Sequence, residues 1–316
     1  MTAYLLRRLL AALVVLLGVS VIVFMMIHLL PGDTLIAKLG ETGRLKPDQV
    51  AAARHQMHLD RPLPVQYLTW LGGAVHGDLG NSLIWEGQSV GGRITDTLPV
   101  SIELAVIAAV VALVIAIPLG ILAAVKQDTI VDQLIRVITV TGLAVPSFWL
   151  GTVVIIYLGI WFHYLPPLHY TRIWKDPLQN IQQFYIPGLL LGYNLSAILT
   201  RMTRSTVLEV LRQDYVRTAR AKGLMRRTIL AKHVLKNSLI PVVTIFGNQF
   251  AFLLGGTVIM EVLFALPGLG RQTFDAVLQR DYPQIQGNTL LFGVFVVAGN
   301  IIVDLIYPYL DPRIRY

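Results

Sequence analysis

Seven histidines are the readiest acid–base and metal-binding groups in this chain: His28, His55, His58, His76, His163, His169 and His233. None falls in an H-E-x-x-H pattern, where two histidines one helical turn apart hold zinc and the glutamate acts as base. His55 and His58 are three apart on a stretch, Lys46 to His58, that reads as a short amphipathic helix. No carboxylate at a fitting spacing completes a metal set there, so solvated surface histidines are the preferred reading and no metal site is expected. The chain has no cysteine, which removes thiolate ligands, disulfides and a cysteine nucleophile. No G-x-x-x-x-G-K-[ST] loop occurs to cradle phosphates. Gly255-Gly256 and Gly268-x-Gly270 lack the lysine such a loop needs. No catalytic residue is assigned.

Three carboxylates sit in or beside apolar runs: Glu103, Glu261 and Asp304. Charge inside a bilayer is costly and usually faces a cavity or a partner. Glu103 and Glu261 are read as lying near the outer interface, where the cost is small, and Asp304 as pairing with a basic loop residue. Asn194, Ser196, Asn248, Gln249 and Asn300 are polar groups in the same runs. They either line a path across the membrane or bond between helices.

The densest grouping is Gln213-Asp214-Tyr215-Val216-Arg217-Thr218-Ala219-Arg220-Ala221-Lys222-Gly223. Good helix formers without proline, ending at glycine, predict a short helix. Val216, Ala219 and Gly223 are three or four apart and share a face. That face is small and is expected to let another surface come close. The rest is cationic and suits acidic partner groups.

The elements that hold these groups follow from composition. Of 316 residues, 55% are hydrophobic and only 14% charged, where a soluble domain has roughly a quarter charged. A helix crossing the hydrocarbon core needs about 20 mostly apolar residues. Six runs qualify as spans: residues 9–30, then about 100–125, 134–165, 186–200, 239–264 and 290–308. The first is longer than a signal-peptide core and lacks a cleavage site, so it is read as retained. Pro118 and Pro146 interrupt two runs and are expected to kink them or to serve packing. Gly188 and Gly192 form a G-x-x-x-G that permits close helix contact. The domain plan is a first helix over 1–30, a sizeable extracytoplasmic segment over 31–98 with room for small strands, a transmembrane domain over 95–308 with a basic loop at 201–237, and a tail at 309–316.

Lys and Arg mark the cytoplasmic side. Arg7, Arg8, Lys126, Arg136, Arg313 and Arg315 fall on one side with the stretch Arg201, Arg204, Arg212, Arg217, Arg220, Lys222, Arg226, Arg227, Lys232 and Lys236. Both termini are therefore expected inside. The formal charge of +8 is a topology signal, and no nucleic-acid partner is expected.

The basic loop resembles the coupling loop of binding-protein-dependent ABC import permeases, whose consensus runs Glu-Ala-Ala, three residues, Gly, nine residues, Ile-x-Leu-Pro. Arg217-Thr218-Ala219 occupies the triplet, Gly223 the glycine, and His233-Val234-Leu235-Lys236 the last four. Arg217, Thr218, His233 and Lys236 depart from that consensus in the manner of the dipeptide/oligopeptide/nickel branch. Further similar segments are His28 to Asp33, His76 to Gly80, Arg201 to Ser205, Pro267 to Arg271, Arg280 to Pro283 and Asp311 to Arg315.

The resemblance implies an all-α integral membrane protein of the type I ABC importer permease type, in a bacterial cytoplasmic (inner) membrane. It implies a coupling loop formed by Asp214, Tyr215, Arg217, Thr218, Ala219, Arg220, Lys222 and Gly223, docked into an ATPase subunit. The partners it implies are a second, similar permease in a heterodimer, two ATP-binding subunits that hold ATP and Mg, and an extracytoplasmic solute-binding protein. This chain itself would carry no cofactor and no ATPase site. Short peptides are the expected substrate, with nickel, glutathione-like or opine-like solutes as alternatives. An ion-coupled secondary transporter would need a mid-span carboxylate or inverted repeats with broken helices, and a membrane enzyme would need a catalytic cluster.

Overall fold

The apolar runs become helices, and of the prolines inside them only Pro146 coincides with a break. The computed structural model describes residues 2–29, 60–85, 87–167 and 169–310. The side chain of His28 and residues 30–33 after it, the 46–58 helix with His55 and His58, the side chain of Asp304 and the terminal 311–315 motif lie outside what is described. The chain forms two compact units, Met1–Val100 with Pro267–Val297, and Ser101–Leu266 with Ala298–Tyr316.

In the first unit, α1 (Thr2–Leu29) is apolar at nearly every position beyond Arg8. Val14 and Ile22 are more than two-thirds exposed, as expected of a helix wrapped by lipid rather than by protein. Phe24 packs edge-on against Tyr67 at 5.4 Å, and the Ser20 hydroxyl lies 2.8 Å from that of Tyr67. These contacts dock α2 (Leu63–Val75) onto α1. Between α2 and α3 (Val90–Val125), Gly77, Gly80 and Gly87 all take positive φ, and the expected strands reduce to one bridge, Asn81 to Ser89, among the described residues. Asp281 pins this segment. It accepts from the Ser82 hydroxyl and from the Leu83 N–H at 3.1 Å, and pairs with Arg93 at 3.5 Å. The similar segments at 76–80 and 280–283 flank this pin. α9 (Leu269–Leu278) and α10 (Tyr282–Leu310) complete the order.

In the second unit a small-residue stripe on α3 (Ala105, Ala108, Ala109, Ala112, Ala116) is buried, at the i, i+3, i+4, i+7 spacing of one helix face. The G-x-x-x-G of α6 (Pro177–Leu211) lies against α3 within this chain. A Cβ at Gly188 would meet Ile107 at 2.5 Å, and one at Gly192 would meet Val111 at 2.6 Å and the Ala108 carbonyl at 2.8 Å. Overpacking of this kind costs about 1–3 kcal/mol. Gly192→Leu is therefore expected to lower the thermal midpoint of the detergent-purified protein, whereas Gly18→Leu, with no atom within 4 Å of its Cβ site, leaves it unchanged.

Two runs differ from their sequence reading. The 134–165 run is two helices, α4 (Ile130–Ala144) and α5 (Ser147–Phe162), bent by 98°. A residue before proline is pushed out of the α region, and Val145 sits extended at φ −95°, ψ 122° ahead of Pro146. The 186–200 run, by contrast, is the middle of the 35-residue α6, which passes through Pro187. Asp176 caps that helix by accepting from the Gln179 N–H at 3.1 Å, with Pro177 in the first turn. Its polar first turns are held through their amide nitrogens: buried Asn180 donates to the Thr171 carbonyl and Gln183 to that of Pro167. α3 runs through Pro118 without a break. α7 (Asp214–Ala221) and α8 (Leu235–Leu263) complete the unit. Among the described residues four helices are long and apolar enough to cross a membrane, or five with the bent pair as one span.

Candidate functional site

α7 is a two-turn helix closed by its own backbone. The Leu224 N–H bonds the Ala219 carbonyl at 3.3 Å and the Gly223 N–H that of Arg220 at 3.0 Å, with Gly223 at φ +76°. This paired closure needs a left-handed residue after the helix, which glycine supplies without a Cβ clash. The Thr218 hydroxyl donates to the Asp214 carbonyl at 3.0 Å.

The face holding Val216 and Ala219 points inward. Val216 is 0% and Ala219 6% exposed, in one cluster with Ala124 of α3, Val207 of α6, Ile229 and Val234. The sequence reading had this small face receiving another surface; the surface it receives belongs to the chain itself. A six-residue π-helix, Ile229–Val234, makes that possible. Its bonds run from i to i+5, which brings residues five apart onto one face, and both of its ends are buried in the cluster. The Asn237 amide donates to the Tyr215 hydroxyl at 3.0 Å, and Arg226 donates to the Val125 carbonyl at 3.3 Å, at the end of α3.

What α7 presents outward is Asp214, Tyr215, Arg217, Thr218, Arg220, Lys222 and Gly223, all exposed, followed by exposed Leu224 and Met225. Arg217 and Asp214 pair at 3.4 Å, but both are largely in solvent; such a pair contributes about 0–1 kcal/mol and exchanges readily. The surface is cationic with an apolar tip on a buried, packed base.

An ion pair that the sequence reading counted only as loop charge supports that base. Asp132 of α4 is fully buried and takes a two-pronged contact from Arg204 of α6, both at 2.7 Å. It also accepts from the Asp128 N–H at 3.1 Å. Two parallel charge-assisted bonds fix geometry as well as distance. The spacing of Asp132 and Arg204 in the chain carries no signal of this pairing.

The polar residues of the apolar runs do not gather into one lining. Asn194 donates to the Gly142 carbonyl at 2.9 Å, joining α6 to α4, and buried Ser196 donates to Tyr193 in its own helix. Asn248 and Asn300 are exposed and Gln249 half-buried. Glu261 is fully buried, accepting from the Ser101 hydroxyl at 2.6 Å. Glu103 accepts from the Tyr170 hydroxyl at 3.2 Å. Burial and that carboxylate push the Tyr170 hydroxyl up to about 12, so it remains a donor at physiological pH. No group of three histidine or carboxylate side chains is placed to hold a metal among the described residues.

Residues 116–316 match the family profile described as binding-protein-dependent transport system inner membrane component, and residues 1–105 match its N-terminal counterpart. The dipeptide transport system permease protein of Escherichia coli (strain K12) is 35% identical, covering 100% of this chain and 99% of that one. The oligopeptide transport system permease protein of Bacillus subtilis (strain 168) is 38% identical, covering 100% of both. Among solved structures, a chain of the inward-facing MetNI methionine ABC transporter superposes with a TM-score of 0.55 at 18% identity, covering 69% of this chain and 96% of that one. The fold is that of an ABC importer permease.

Proposed function

The chain belongs to the family of binding-protein-dependent transport system inner membrane components, and from that membership we propose that it is the permease subunit through which an ATP-driven importer passes short peptides. It is a multi-pass inner-membrane component of an ABC transporter. The observation that carries the peptide reading is full-length identity of 35–38% to dipeptide and oligopeptide permeases.

In the mechanism we infer, both termini and the 201–237 loop face the cytoplasm. The exposed side of α7 docks on an ATP-binding subunit. ATP and Mg are held by two such subunits, and this chain hydrolyses nothing itself. Closure of the ATPase pair pushes on α7. The buried cluster under Val216 and Ala219 passes that push to the ends of α3 and α6, because a packed interior transmits strain rather than absorbing it. A second, distinct permease completes the path, and a solute-binding protein delivers peptide from outside. Asn194, Ser196, Asn248, Gln249 and Asn300 remain the proposed path groups. Asn248 and Asn300 are the stronger members, since the side chain of Asn194 is already spent on holding α4.

The test is uptake of a labelled dipeptide by proteoliposomes holding this chain with its partner permease, ATP-binding subunits and solute-binding protein. ATP-dependent accumulation is expected. Accumulation that follows an imposed ion gradient without ATP would overturn the reading.

A further inference from the structure

Two arginines of the second unit stand side by side at the seam between α4 and α6. Three contacts mark the stripe of α6 that faces α4. Asn194 donates to the Gly142 carbonyl at 2.9 Å, a Cβ at Gly142 would meet that of Ala197 at 3.1 Å, and Arg204 clasps Asp132 at 2.7 Å. Positions 194, 197, 201 and 204 are three or four apart, so Arg201 lies on the same stripe. The seam is antiparallel, with Gly142 level with 194–197 and Asp132 with 204. Between those levels Arg201 comes beside Arg136. Both are exposed.

The charges at this seam do not balance. Asp132 takes two bonds from Arg204 and lies 3.7 Å from Arg136, one turn on in α4. Arg201 pairs with no carboxylate among the described residues. Three guanidinium groups therefore share one carboxylate. The flank of the seam is apolar: Leu134, Val137 and Val140 of α4 are 57%, 63% and 62% exposed. In a membrane chain such a face meets acyl tails. Arg136 is only six residues into α4, about 9 Å along the axis. A long side chain at that depth reaches the headgroup layer. The negative group of that layer is phosphate, which a guanidinium takes through two parallel bonds.

We propose that Arg136 and Arg201 hold the phosphate of an anionic phospholipid in the leaflet on the α7 side, with its acyl chains along Val137 and Val140. The lipid supplies the negative charge that the seam lacks and covers the apolar flank of α4. The site needs only the chain's place in a membrane, which family membership gives, and rests on neither the peptide reading nor the role of α7.

The test is native mass spectrometry of the assembled importer titrated with phosphatidylglycerol or with phosphatidylcholine of the same acyl chains. Sites elsewhere on the importer are common to wild type and variants, so the difference between them reads this seam. Arg136→Gln and Arg201→Gln should each weaken phosphatidylglycerol binding about fivefold, the share of one arginine at an anionic membrane surface, and leave phosphatidylcholine binding unchanged. Arg201→Lys should lose less than Arg201→Gln, since it keeps the charge and gives up only the two-pronged geometry. The thermal midpoint in phosphatidylcholine should match wild type in every variant, because the Asp132–Arg204 clasp is untouched and an arginine as exposed as Arg136 adds little to it. Undiminished phosphatidylglycerol binding in the double glutamine variant overturns the site. A lowered midpoint in phosphatidylcholine makes the two arginines parts of the fold and also overturns it. So does displacement of the lipid from the wild type by an equal concentration of inorganic phosphate, which would make the free anion the ligand. Loss of the ATP-binding subunits with phosphatidylglycerol binding unchanged makes the seam a protein contact and overturns it as well.

Discussion

Changing both Arg220 and Lys222 to glutamate is expected to bring uptake by the assembled importer to background while the inserted amount and thermal midpoint stay at wild-type values. Both side chains are exposed on α7, and surface substitutions away from packing usually shift stability by no more than about 0.5 kcal/mol. At an interface the same change sets like charges against the acidic groups that a cationic face selects, which costs several kcal/mol. Co-purification of the ATP-binding subunits should fall with uptake. Uptake at the wild-type level would remove the coupling role from this face. Ala219→Arg looks equivalent from the sequence but is a different experiment. Ala219 is 6% exposed in the cluster beneath α7, so arginine there places a charge among apolar groups. It is expected to lower the thermal midpoint along with transport, and so does not isolate docking.

Asp132→Ala is expected to destabilise the protein by about 3–5 kcal/mol, the cost of leaving one member of a buried pair without its partner. Arg204 would keep its charge beside a vacated, fully buried site. The measurement is thermal unfolding of the purified chain, read against Asp132→Leu combined with Arg204→Met. Apolar replacement of both members is often neutral, so the double variant should recover most of the loss. It also separates stability from coupling. If the pair only holds α4 to α6, the double variant transports; if its rigidity serves the push from α7, the double variant is folded yet transports poorly. A single variant as stable as wild type would contradict the account of the pair.

How far the sequence carried the fold depended on which forces act locally. Apolar runs showed where α1, α3, α8 and α10 form, and helix formers ending at Gly223 showed α7, because propensity and a left-handed stop act within a few residues. The break at Val145 was harder to place. Pro146 was visible as an interruption, but whether a helix kinks or stops depends on what packs beyond it. α6 was read too short because hydropathy penalises Asn180 and Gln183, whose amide nitrogens donate to carbonyls of the preceding loop, 9 and 16 residues back. The same limit governs the functional face. Periodicity grouped Val216 with Ala219 correctly, but a small apolar face looks alike whether a partner or the chain's own helices cover it. Asp132 and Arg204, 72 residues apart, counted only toward topology, since pairing is a property of the packed helices.

The most direct test of the account asks where α7 lies and what covers it. The chain has no cysteine, so Thr218→Cys supplies a single reporter on the exposed face. Labelling with a membrane-impermeant maleimide is expected in inside-out vesicles only, and to slow markedly when the ATP-binding subunits are bound. Labelling from the outer side of intact cells, or a rate indifferent to those subunits, would contradict it.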